Sequence, residues 1–567
     1  MKSGKFLLIA FLSFLAFGSF AGKGAEQTVP PARALALPTR IGILGTTNIT
    51  LDEVIHRVLA NDKDLAVSRI LKEEAVLNVK GAKGYFDPKL GFTGHSLRQV
   101  SPASSSLSGS TNGKLTNKEL LADPQVSGES PFLGTSYKLD FSSARQTTDS
   151  TFFTLNPQFP TSVNLNLTQP LWRGLFIDDN RHRLLVAKQN VRLSNEQLRQ
   201  QVIQVVTQAI SAYWELQYAY RNLDVQIQAV RLAQQQDESN RRQVEQGLLA
   251  PVDVVQSQTQ IATFEQNVYI AQNNLTNAEN ALKTFMLPDR NDLMWGMALI
   301  PEERPDARLE MPNLQEAVKQ ALASRPELKE AAITIDTNRI DTRLAHDQAK
   351  PQVDAFATFS VAGLAGHPVP PSGSNPFVSA FAPIVNQVNE LSTIAGLQPL
   401  PPLSFGSATI PPILVGGYGQ SLSALGSGQF TSAVVGVNIS LPLRNRTATA
   451  NEAVALAEGR RLETQRQQTE MAIEQDVRNA LQGAASAQQR LDAAVNARRF
   501  AEDQYSSEQR QFQAGTSTVF LVLQRQTDLT VARTREVRAE SDMGEASANL
   551  DRALARTLEA HDIHLAQ

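Results

Sequence analysis

The sequence predicts a mostly α-helical chain that also carries membrane-type β-strands, built from two tandem repeats. Three observations predict this class: landmarks that recur in the same order, short segments of strict apolar–polar alternation, and two very long helical stretches without proline.

The N-terminus reads as an address. Lys2 and Lys5 precede an apolar run from Phe6 to Phe17, and Ser19-Phe20-Ala21 supplies small residues at the cleavage positions, so residues 1–22 are expected to be a secretory signal peptide and 23–50 a linker. The run is shorter than the ~20 residues a membrane helix needs. No later stretch is long and apolar enough to cross a bilayer as a helix. A crossing by the mature chain therefore requires strands closed into a barrel, where every backbone group finds a partner.

The repeat begins at Leu51-Asp52-Glu53-Val54 and runs through Ala60 and Leu65 to Pro88-Lys89-Leu90. Without a gap it returns as Leu314-Gln315-Glu316-Ala317, Ala323, Leu328 and Pro351-Gln352-Val353. Gln169-Pro170-Leu171 then answers to Leu441-Pro442-Leu443, and Gln246-Gly247-Leu248 to Ala514-Gly515-Thr516. Two units of about 260 residues follow, placed at 51–286 and 314–558, with a linker or equatorial segment at 287–313 and a tail at 559–567.

Each unit opens with a helix, about Leu51 to Gly84 and Leu314 to Ala349, closed by the proline that follows. A first strand comes next: Val353, Ala355, Ala357, Phe359 and Val361 alternate with Asp354, Phe356, Thr358 and Ser360, and the Leu90–Thr93 counterpart is weaker. Ser/Gly/Pro-rich excursions over 101–149 and 363–428 are expected to be long, partly disordered loops. The second strands alternate most clearly. Val163, Leu165 and Leu167 oppose Asn164, Asn166 and Thr168, while Val435, Val437, Ile439 and Leu441 oppose Gly436, Asn438 and Ser440. Asn164, Asn166, Asn438 and Ser440 are the expected lumen-facing positions of a barrel.

The long helices, about Asp178 to Gln246 and Thr449 to Ala514, carry period-seven apolar columns. Leu198, Val205, Ala212 and Ala219 form one, and Val202, Ala209, Leu216, Leu223 and Val230 another; Val206, Tyr213, Tyr220 and Ile227 widen the stripe. Adjacent columns require a neighbour on each side, which suits a closed ring of helices. Gly247 and Gly515 stand where a left-handed residue stops a helix. Pro251 and Asp253 open one return helix, over about 252–285. Thr516, Ser517 or Thr518 caps the other, over about 519–556. The shared Gln256 and Gln524 follow. These turns put Leu248, Leu249 and Val252, and Val519, Phe520 and Leu521, at exposed helix tips, the expected gate and docking surface.

Composition excludes much else. With 53 Lys plus Arg against 56 Asp plus Glu, no basic field favours nucleic acid. Zero cysteine removes disulfides, thiol nucleophiles, thiolate metal sites and a lipidated N-terminal cysteine. The seven histidines are scattered, and the His561-x-x-His564 pair lacks further ligands. Without a phosphate-binding glycine loop or convergent catalytic groups, neither an enzyme nor a cofactor is expected. Four strands cannot close a barrel alone. Two copies give eight, which side chains nearly fill, whereas three give twelve, wide enough for a channel. A homotrimer is the expectation.

The two-fold repeat, the Gln-Pro-Leu strand ending, the long Ala/Gln-rich helix and the Gly-x-x-x-x-x-Asp-Val turn at Gly247–Val254 together resemble the TolC family of outer membrane efflux proteins, over about Leu51 to Arg556. The resemblance implies a homotrimer, with a twelve-stranded β-barrel in outer membrane lipid continued by a long α-helical barrel in the periplasm. It implies a periplasmic adaptor (membrane fusion) protein and an inner-membrane efflux pump or ABC exporter as partners, in a tripartite pump or type I secretion complex. One departure concerns the gate: where family members carry acidic side chains on the second return helix, this chain has Leu521 and Gln524. The other reading of the heptads is an exported periplasmic coiled-coil adaptor or structural fibre protein.

Overall fold

A computed structural model describes residues 35–104, 109–110, 112–304, 308–309, 311–369, 376–401 and 410–564. The expected signal peptide lies outside them. The described chain forms two compact units: one holds the segment up to Gly45 with Leu216–Glu279 and Arg490–Glu540, the other Thr46–Glu215, Asn280–Gln489 and the residues after Ser541.

The second unit contains the sheets. A small one pairs β1 (Gly45–Ile49) with β6 (Met297–Pro301). The large one, among the described residues, has six strands in the order β2 (Lys89–Pro102), β3 (Lys114–Glu129), β4 (Ser136–Thr148), β5 (Leu155–Pro170), β7 (Gln352–Pro368) and β8 (Phe430–Ser440). All neighbours are antiparallel. The sequence pattern predicts only four. The difference is the segment 101–149, which folds as β3 and β4 because its Ser- and Gly-rich composition conceals period-two alternation: Leu120, Ala122 and Val126 against Glu119, Asp123 and Gln125. Pro124, without an N–H, marks the one gap in the β3–β4 ladder, between Ala122↔Ser143 and Gln125↔Asp140.

The second excursion is likewise structured in part. It holds α7 (Pro376–Ile394) and α8 (Tyr418–Gly426). The α8 helix packs on β5 and β7, where Thr161 Oγ1 lies 2.8 Å from Ser421 Oγ. A Cβ on Gly363 would stand 2.3 Å from the Ser421 carbonyl oxygen, so only glycine permits this approach.

Each opening helix is two helices rather than one: α1 (Leu51–Asn61) and α2 (Lys63–Lys83), then α5 (Leu314–Ser324) and α6 (Pro326–Gln348). In the second repeat Pro326 cannot continue a helix and forces Arg325 into an extended conformation (ψ 131°). In the first, Asp62 takes the same conformation (ψ 133°) and caps α2 by accepting from the Leu65 N–H at 2.9 Å. The starts are also capped alike, by Thr50 and Asn313. Ala317, Ala321, Ile473, Val477, Ala484 and Leu550 form a buried cluster in this unit; small side chains let the helices approach closely.

The long helices are α3 (Asp179–Glu245) and α9 (Arg446–Gln513), and the return helices α4 (Pro251–Met286) and α10 (Val519–Ala553). In the first unit, Ala229, Val230 and Ala233 of α3 pack on Ile261, Phe264 and Val268 of α4. Polar links tie in the second repeat: Gln260 donates to Thr527 Oγ1 at 3.0 Å and Gln226 to Thr534 Oγ1 at 3.2 Å. Along α9 and α10, Arg498 pairs with Glu536 at 2.5 Å and Arg533 with Glu502 at 2.8 Å. Among these groups Glu536 is pushed up by burial, a shift that Arg498 and Arg221 oppose.

Candidate functional site

Register assigns every strand of the large sheet two faces. Paired residues share a face, so Leu90, Val126, Leu139, Leu165, Phe359 and Ala433 lie on one side. Val435, Val437 and Ile439 continue that side along β8 and stand exposed, as do Leu90 and Phe92 on β2. Such a contiguous apolar surface is not the outside of a water-soluble sheet.

The opposite side is polar and internally bonded. Asn164 Nδ2 donates to Asp140 Oδ2 at 2.7 Å, Ser360 Oγ donates to Asn164 Oδ1 at 2.6 Å, and Thr358 Oγ1 donates to Asn166 Oδ1 at 3.0 Å. The belt thus runs unbroken from β4 across β5 to β7. Asn438 pairs with Asp354 and Ser440 with Gln352, so all four polar positions predicted from the sequence share this face.

The sheet is open. Among the described residues β2 bonds only to β3 and β8 only to β7, which leaves two long edges. β2 and β8 run in opposite directions, since each strand from β2 to β8 reverses its predecessor.

The second group of predicted residues lies at the C-terminal ends of the long helices. Gly247 (φ +74°) and Gly515 (φ +76°) close α3 and α9 with the same pair of bonds. Gly247 N–H reaches the Val244 carbonyl at 2.9 Å and Leu248 N–H that of Gln243 at 2.8 Å; Gly515 reaches Phe512 and Thr516 reaches Gln511, both at 3.0 Å. After the first turn, Pro251 opens α4, and Asp253 Oδ2 accepts from the Ala250 N–H at 3.2 Å, a reciprocal cap. After the second, Thr518 caps α10 by accepting from the Leu521 N–H at 3.4 Å, Ser517 donates to Glu508, and Thr516 Oγ1 donates to the Gln511 carbonyl.

The tips differ from the sequence expectation in one respect. Leu248, Val252 and Phe520 are exposed, Leu248 at 70%. Val519, in contrast, is 2% exposed and joins Phe512, Val522 and Leu523, with Leu249 against them. One apolar residue from each turn therefore pins the two repeats together, and the rest stay outside. The reason is helical phase: Val519, Val522 and Leu523 recur at i, i+3 and i+4 and face inward, leaving Phe520 and Leu521 on the other side. Gln256 and Gln524 are exposed. Gln524 donates to Asp528 at 3.1 Å, and Arg525 pairs with Asp528 at 3.2 Å, so a carboxylate does stand one turn beyond Gln524 and two beyond Leu521. The Gln-x-x-x-Asp spacing is the signal in the sequence that points to it.

The model of the outer membrane efflux protein family matches residues 54–286 and 407–556. The chain belongs to the outer membrane efflux protein family. No curated protein matches it by sequence. Among solved structures, the efflux-family chain is similar to CusC, described with transmembrane channel formation, at 15% identity and TM-score 0.60, over 93% of this chain and 96% of that one. It is also similar to the Campylobacter jejuni outer membrane channel CmeC (14% identity, TM-score 0.57, 89% and 86% covered) and the Vibrio cholerae outer membrane protein VceC (16%, 0.56, 89% and 95%). At these identities the likeness is one of fold: a β-barrel with an α-helical barrel. Family membership makes this a transport protein of the outer membrane that extends into the periplasm. Among the described residues no helix is long and apolar enough to span a membrane, and no metal-binding cluster is present.

Proposed function

We propose that this efflux-family protein acts as a homotrimeric duct that passively conducts substrates handed over by a tripartite pump or a type I secretion complex. The observation that carries the reading is the open six-stranded sheet, apolar on one face and polar on the other, with antiparallel free edges at β2 and β8. In lipid such edges are intolerable, and joining β8 of one copy to β2 of the next removes them. Copies closed in this way turn the apolar face to lipid and put Asn164, Asn166, Asn438 and Ser440 along water.

At the helix tips, the glycine turns with Leu248, Val252 and Phe520 are the proposed docking surface for a periplasmic adaptor, and the Val519–Leu249 contact is the proposed restraint on opening. Energy then comes from the inner-membrane efflux pump or ABC exporter, since the duct has no nucleotide-binding loop. An exported coiled-coil adaptor has no use for a broad apolar sheet face, and no observation favours it.

The test is extraction and conductance. Mature protein purified from outer membranes in detergent is expected to be trimeric and to give unitary current steps in planar bilayers. A monomer that is freely soluble without detergent and electrically silent overturns the proposal.

A further inference from the structure

We propose that the β3–β4 hairpin is a wall element, so that each copy contributes six strands and a trimer closes a barrel of eighteen rather than twelve. The trimer is taken from the function proposed above; the six-strand contribution rests on the following geometry.

The hairpin spans the full height of the sheet. At the helix-side end Lys89 pairs with Ser127 and Ser136 with Thr168; at the far end Pro102 pairs with Lys114 and Gln146 with Gln158. A decorative surface hairpin would pair with its neighbours over part of their length, not end to end. In its helix-side half the alternation is also in phase with the other strands. Leu139 and Phe141 share the apolar face with Leu165 and Val163, and Asp140 shares the polar face with Asn164.

The bonded belt crosses the hairpin too. Lys138 Nζ lies 3.5 Å from Asp140, Gln158 donates to Gln146 at 2.7 Å, and Gln146 to Glu119 at 3.5 Å. The 130–135 turn is tied to the end of β5: Gln169 Nε2 donates to the Leu133 carbonyl at 2.9 Å, and Thr135 Oγ1 donates to Gln169 Oε1 at 2.5 Å. Gln169 belongs to the Gln-Pro-Leu strand ending of the first repeat.

Topology allows the insertion at no cost to closure. A hairpin adds two strands, so the number per copy stays even and β8 of one copy still meets β2 of the next antiparallel. Barrel diameter grows roughly linearly with strand number, so the exit is about 1.5-fold wider than a twelve-stranded one.

The experiment is a three-dimensional reconstruction by electron microscopy of the full-length protein in detergent. It is paired with oxidation of a Ser142→Cys/Ser162→Cys double variant, whose two positions are cross-strand partners in a chain that has no other cysteine. Six wall strands per subunit, with loss of both free thiols on oxidation, is the expected result. Four wall strands per subunit with the hairpin outside, or thiols that stay free, overturns it. Six per subunit in a particle of other than three subunits supports the hairpin's role and sinks the trimer instead. A variant lacking residues 112–149, which leaves β2 free to pair with β5, is expected to narrow the barrel to about two-thirds of its diameter; an unchanged diameter counts against the proposal.

Discussion

Arg325 Nη2 lies 2.5 Å from Asp476 Oδ2, joining the extended residue before α6 to the middle of α9. Arg552 of α10 grips the same carboxylate at 3.0 and 3.1 Å. Burial alone would raise the Asp476 pKa, but Arg552 and Arg325 outweigh it and hold the carboxyl below its ordinary value of 3.8. Because the folded value is depressed, the stabilisation is complete above about pH 4 and is lost as pH falls through the folded value. Asp476→Asn is expected to cost about 2 kcal/mol at pH 7, less than a fully buried pair because the groups are partly solvated. It also flattens the acid limb of a thermal-melting profile in detergent. An unchanged melting temperature at pH 7 would count against this contact as a clasp.

A carboxylate of opposite tendency lies five residues after Arg325. Glu330 is pushed up to about 7 by burial first, then by Glu327 and Glu196. A raised acid favours folding while protonated, so stability is full below the ordinary value of 4.5 and declines as pH rises through about 7. Glu330→Gln should therefore stabilise the protein at pH 8, by about 1 kcal/mol after discounting for partial exposure, and leave it unaffected at pH 4. Melting curves at both pH values decide it; equal shifts at both would sink the titration argument.

Gly247 and Gly515 have open space where a Cβ would stand, yet both sit at positive φ. Valine at either position thus meets backbone strain alone, on the order of 1–2 kcal/mol, with no steric clash at its Cβ. The double Val variant is expected to assemble as the native protein does but to lose export in cells that depend on it, because the strain is relieved by rearranging the helix tips. Native export in cells would remove the turns from the mechanism.

How much of this is legible in the sequence follows from the kind of signal each element leaves. The long helices are placed within three residues at either end, because Gly247, Gly515 and Pro251 punctuate a sustained heptad. β5 and β8 announce themselves through Val163–Thr168 and Val435–Leu441. β3 and β4 do not: Pro124 breaks the expectation of a strand, and Ser142-Ser143 interrupts the apolar series with residues that suit loops equally well. The helix break at Asp62 is hidden because a capping aspartate is unremarkable within a helical pattern, whereas Pro326 advertises its counterpart. At the tips, apolar residues are recognisable but their sides are not, since the burial of Val519 depends on a neighbour from the other repeat, Leu249, that no local pattern reveals.

The two faces of β5 give the sharpest test of its surroundings. Leu165 and Asn166 are consecutive, equally central in the strand and bonded to the same neighbours, β4 and β7. Their side chains point to opposite faces. If the apolar face meets lipid, Leu165→Arg buries a cation in hydrocarbon at roughly 2–4 kcal/mol, and three copies multiply the penalty in one trimer. Asn166→Arg points a cation at water and loses only the acceptor for Thr358, worth about 1 kcal/mol. Outer-membrane yield of heat-resistant oligomer should therefore collapse for the first variant and persist for the second, whose single-channel current should shift toward anions. Equal tolerance of both substitutions would mean that neither face of the sheet contacts lipid.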